Sequence, residues 1–76
     1  MMITAAQSRM ARAALRWHIA DVAKASQVAT ATIHRFETEQ RQPIPATLMA
    51  LKAAFEAAGI EFVEGGAVLK SAGAGR

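Results

Sequence analysis

The sequence predicts a mainly α-helical bundle of four to five helices that ends in a short C-terminal β-strand or hairpin. Three observations predict it. Apolar residues recur at helical spacing through the segments before Gly59, and each segment is bounded by a polar cap, a tight turn or a proline. The periodicity then changes at Ile60-Glu61-Phe62-Val63-Glu64, a β-rich run followed by Gly65-Gly66. Finally, 76 residues without a single Cys make one domain with no disulfide framework and only a modest core, which oligomerisation is expected to supplement.

The elements follow in order. Thr4-Ala5-Ala6-Gln7 has the form of a capping box, in which the Thr and Gln side chains satisfy each other's free backbone N–H groups. A first helix is therefore expected from Thr4 to about Arg16, with Ala6, Met10, Ala13, Ala14 and Trp17 inward. A second helix covers about Ile19 to Ala25, its inner face carrying Ile19, Val22 and Ala23. The third covers about Ala29 to Glu37, with Ala29, Ile33 and Phe36 inward and Val28 in the connection. The turn between these two is too short for anything but a sharp corner. Gln40 to Pro45 reads as a loop, because Pro43 and Pro45 bias the residues before them away from helix. Pro45 suits the first turn of a fourth helix, whose stripe is Leu48, Leu51, Ala54, Phe55 and Ala58, and Gly59 is its natural stop. Beyond it, residues 60–64 form a strand, Gly65-Gly66 a turn, and Ala67 to Lys70 a second short strand. The tail 71–76 is small and polar and is expected to be disordered.

The formal charge is +3, from nine basic and six acidic side chains. Its distribution says more than its size. Arg9, Arg12 and Arg16 precede any acidic residue, Arg35 and Arg41 bracket the end of the third helix, and Glu56, Glu61 and Glu64 lie late in the chain. Such a division suits a protein that meets phosphates on one side, although solvated charged faces give the same pattern. On the third helix Thr30, Ala31, His34 and Arg35 point outward. A short helix braced by a packed partner, offering small polar groups and one Arg, has the size and chemistry to enter a DNA major groove.

Several spaced features coincide. They are Arg9-x-x-Arg12 in the first helix, Val22-Ala23 in the second, Val28 after the turn, Ile33 and Phe36-Glu37 in the third, and Arg41-x-Pro43 beyond it. In their joint spacing they resemble the Cro/repressor-type (XRE-like) helix-turn-helix family of bacterial and phage regulators, over roughly Arg9 to Gly59. The resemblance implies that the third helix lies in the major groove while the second crosses the backbone. By position, Thr30, Ala31, Thr32 and Arg35 then face bases or nearby phosphates, His34 lies near the DNA or in solvent, and Arg41 contacts the backbone. Arg35 is suited to the O6 and N7 of guanine, and a Thr or Ala methyl to the thymine methyl. The resemblance also implies a partly buried structural ion pair between Arg12 and Glu37.

The sequence departs from that pattern at four places. Ile19 replaces a Gln whose amide reaches a phosphate. Gln27 and Glu39 stand where Gly is usual, and a left-handed conformation there costs each on the order of 1 kcal/mol. Ala29 replaces the hydroxyl that caps the third helix, forfeiting about 1 kcal/mol unless Thr30 caps instead.

Other chemistries find little support. His18 and His34 lie on different helices, without Cys or a His-Glu-x-x-His spacing, so no metal site is expected. Ser8, Ser26 and Ser71 lack a base and an orienting partner, so no enzyme and no cofactor are expected. No apolar run approaches the roughly 18 residues of a membrane span. A cytoplasmic protein is expected, binding double-stranded DNA as a homodimer, with a regulatory protein partner as a further candidate. The domain division is 4–59 for DNA binding and 60–70 for dimerisation. Ile60, Phe62 and Val63 are too apolar to lie bare and are expected to pair across a two-fold axis, so that truncation after Gly59 leaves a helical monomer. The alternative is a helix-turn-helix protein-interaction module, or an antitoxin-type protein that holds a partner.

Overall fold

Four helices and one antiparallel hairpin follow one another in the computed structural model, which describes residues 2–70. They are α1 (Ala5–Leu15), α2 (Ile19–Ser26), α3 (Thr30–Glu37), α4 (Pro45–Ala57), β1 (Ile60–Val63) and β2 (Gly66–Leu69). Met1 and the tail 71–76 lie outside the described residues. Among the described residues, no helix is long and apolar enough to cross a membrane.

The capping box starts α1 as expected. Thr4 Oγ1 accepts from the Gln7 N–H at 3.1 Å, and the Gln7 side-chain carbonyl accepts from the Thr4 N–H at 2.9 Å. At α2 the return bond is made by Asp21, whose carboxylate accepts from the His18 N–H at 2.8 Å. No side chain caps α3: Ala29 takes the cap position and neither it nor Thr30 supplies the bond. Pro45 occupies the first turn of α4, and Gly59 ends it at φ 105°, where an L side chain would be strained.

The core forms where the inner faces meet. Val22, Ile33, Phe36, Leu48, Leu51, Phe55 and Ile60 are buried, each contributing about 1.5–3 kcal/mol by leaving water. Phe55 sits at its centre. Its ring lies 6.2 Å from that of Trp17 and 6.0 Å from that of Phe62, the second contact edge to face. The face of α1 differs from the expected one. Gln7, Ser8 and Ala11 turn inward, Ala6 and Ala14 are half-buried, and Met10 and Ala13 are exposed. Ala29 is likewise exposed, because it caps α3 from outside its inner face.

The chain does take left-handed conformations at Gln27 (φ 64°) and Glu39 (φ 62°), and also at Arg16 (φ 58°). Each gives its helix a tight exit. The Gln27 N–H bonds the Ala23 carbonyl at 2.8 Å, and its side-chain amide donates to the Lys24 carbonyl at 3.1 Å, offsetting part of the strain.

The hairpin turns on Glu64-Gly65, one residue earlier than expected, with Ile60 opposite Leu69 and Val63 opposite Gly66. It is part of the bundle and not an appendage to it. Ile60 is 1 % exposed, and Phe62 is half-buried against Phe55. The Gln7 amide donates to the Val63 carbonyl at 2.8 Å and to the Gly66 carbonyl at 3.1 Å, tying the hairpin turn to α1. A boundary at Gly59 therefore cuts through one core. Of the three residues expected at a two-fold interface, Ile60 is already spent inside its own chain, and only Val63 carries its side chain outward.

Candidate nucleic-acid interface

The position of α3 is fixed from its end. Glu37, 4 % exposed, is the residue on which α1 and α3 are clamped. Ser8 Oγ donates to its carboxylate at 2.7 Å. Arg12 Nε donates to both oxygens at 3.0 Å and Nη2 to Oε1 at 2.8 Å, while Nη1 donates to the Trp17 carbonyl at 3.0 Å. The hydrogen bond to Glu37 holds the Arg12 guanidinium above its ordinary pKa, against the opposing effect of burial. Arg9 adds a second tie: its Nη1 donates to the Glu37 carbonyl, and it lies 3.8 Å from the Glu39 carboxylate. Two of the basic residues that precede the first acid are thus engaged with the end of α3.

With Ile33, Phe36 and Glu37 buried, helical geometry fixes what α3 shows to solvent. Thr30, Ala31, His34 and Arg35 are exposed, and Thr32 is half-buried at the edge. The loop then closes back on this helix. Glu39 in its left-handed conformation lets the N–H groups of Gln40 and Arg41 both reach the Arg35 carbonyl, at 2.8 and 3.2 Å. Arg41 is thereby held beside Arg35, although six positions separate them.

An open groove of about 230 Å³ results. Thr32 and Arg35 form its α3 side, Arg41, Gln42 and Pro43 its loop side, and Ile44 and Thr47 its floor at the start of α4. Among the described residues, neither Arg35 nor Arg41 is in an ion pair, in contrast to Arg9 and Arg12. Two guanidiniums without carboxylate partners, next to hydroxyl and apolar groups, can engage phosphate or a base edge bidentately.

Of the expected residues, Thr32, Arg35 and Arg41 meet in the groove, while Thr30, Ala31 and His34 lie along the exposed face of α3. Ser8, Gln42, Ile44 and Thr47 were not expected. The Pro43-Ile44-Pro45 run was the available signal for the last three: it forces the loop to return extended, and Ile44 between two prolines cannot enter a helix. Ile19, at the start of α2, is half-buried against the core. Among the described residues, no group of three His, Cys, Asp or Glu side chains could hold a metal ion. No family model, curated protein or solved structure matches the chain.

Proposed function

We propose that this chain is a sequence-specific DNA-binding transcriptional regulator of the helix-turn-helix kind, a repressor that acts as a homodimer on a palindromic operator. One observation carries the reading. A short helix, clamped at its buried end by Glu37, presents Thr30, Ala31, His34 and Arg35 to solvent beside a loop that holds Arg41 next to Arg35. An α-helix with its side chains is roughly 10–12 Å across, which fits the ~12 Å width of the major groove. Arg35 reads a base, Arg41 neutralises a phosphate, and Thr32 borders both. One such helix touches too few base pairs to select a site in a genome, and two copies on a palindrome multiply the discrimination.

Selection of bound sequences from a random DNA pool tests the reading directly, and an enriched palindrome is the expected result. Arg35→Ala should weaken binding to that site by about 1–3 kcal/mol and relax preference at one position per half-site. An equal loss on selected and random DNA, with folding intact, would make Arg35 a phosphate contact. Arg41→Ala should weaken binding to all sequences and flatten the slope of log affinity against log salt by about one unit. A changed base preference with the slope unaltered would count against that role.

The alternative, a protein-interaction or antitoxin-type module, draws on a different observation. The outer face of the hairpin exposes Val63 and Val68, and Ile19 cannot make the phosphate contact of the family's Gln. A pool that yields no enriched sequence would favour it.

A further inference from the structure

The helix α4 has no polar face. Leu48, Leu51, Ala54 and Phe55 fill its inner side, yet Ala46, Met49, Ala53 and Ala57 are exposed on the opposite side, with Met49 62 % exposed. An exposed helix face made of Ala and Met marks a contact surface. Its two charges, Lys52 and Glu56, sit one turn apart along one flank of this outer face, 3.9 Å from each other. We propose that the outer face of α4 is where a second copy of the chain packs, with the two α4 helices antiparallel about a two-fold axis level with Ala54.

The charges select that occupant. In a symmetric antiparallel helix pair, the same flank of each helix meets the other. Lys52 and Glu56 straddle the level of Ala54, so each Lys52 faces the partner's Glu56, and the flank is complementary to itself. A parallel pair would set this flank against the partner's opposite flank, which carries Ala46, Ala50 and Ala57, and would leave both charges without a counterpart. Met49 and Ala53 lie between the helices, and the alanines let the backbones approach closely.

Spacing supports the same arrangement, and this part rests on the DNA-binding reading. Ile44, which caps α4 and floors the groove, is ten residues from the axis, or about 15 Å at ~1.5 Å per residue. The two grooves then lie about 30 Å apart along the helix direction, close to the ~34 Å between successive major grooves on one side of the duplex. Thr47, the other floor residue, lies roughly half a turn around α4 from Glu56. Both grooves therefore open on the same side of the pair, away from the Lys52–Glu56 flank.

Sedimentation of the full chain without DNA, at concentrations on the order of 100 µM, should show a dimer; one pair of helices is a small interface and associates weakly. Ala53→Arg, at an exposed position, should leave the circular dichroism unchanged and raise the dimer dissociation constant by at least roughly tenfold. Lys52→Glu and Glu56→Lys should each dimerise poorly alone, because each sets like charges together. Mixed with each other they should form a heterodimer. Val68→Glu, on the hairpin's outer face, should not alter association. A monomeric full chain, no preference for the mixed pair, or dissociation by Val68→Glu in place of Ala53→Arg would each overturn the proposal. Its failure is distinct from that of the regulator reading: a dimer that enriches no DNA sequence removes only the latter, and a dimer that enriches a palindrome but is not dissociated by Ala53→Arg removes only the former.

Discussion

Glu37→Ala should remove a large part of the stability of the fold. The carboxylate is buried and accepts from Ser8 and from two nitrogens of Arg12. Removing it strands the Arg12 guanidinium and the Ser8 hydroxyl together, at about 3–5 kcal/mol. A domain of this length has a total stability of roughly 4–11 kcal/mol, so one substitution consumes a large share of it. Urea denaturation followed by circular dichroism is the measurement, and a fall in melting temperature of more than about 10 °C is the expected companion. A fall of only a few degrees would place the pair with ordinary surface ion pairs, which contribute about 0–1 kcal/mol. Loss of DNA binding by Glu37 or Arg12 variants would accordingly report on folding, because neither side chain belongs to the exposed face of α3.

The second large effect is expected at the hairpin. Truncation after Gly59 should give a chain without a cooperative melt, and not the helical monomer that the sequence alone suggested. It removes Ile60 from the core, uncovers the edge of Phe55 that Phe62 covers, and leaves the Gln7 amide without its two carbonyl acceptors. Ile60→Ala alone should destabilise by about 2–5 kcal/mol. Dispersed amide resonances in the truncated protein would show that α1 to α4 hold together by themselves, and would return the hairpin to the role of an attachment.

The difference between these two expectations shows what the residues reveal on their own. Helices α3 and α4 were legible because Ile33, Phe36, Leu48, Leu51 and Phe55 are large, and their spacing admits one inward face. The inward face of α1 was not. Five of its eleven residues are alanine, which marks neither side, and the decisive residues are Gln7 and Ser8, polar groups buried because their partners lie far along the chain. The capping box identified Gln7 correctly at its local task. Nothing local reveals that the other end of the same amide holds a turn near residue 64. At the candidate interface, Arg35 followed from helical period and Arg41 from its place in the loop. Their neighbours Gln42, Ile44 and Thr47 depend on the left-handed turn at Glu39, a position where the residue type argues against that conformation.

The Gln7 amide also sets an order of events during synthesis. Its acceptors lie 56 and 59 residues further on. At about 5–20 residues per second, translation takes roughly 3–11 s to cover the distance to Val63. Throughout that interval α1 has its capping box but not the hairpin against which it packs. Folding of α1 thus commits late: it is finished only by β1 and β2, and until they are made its uncovered side is open to chaperones, to proteases and to other copies of the chain.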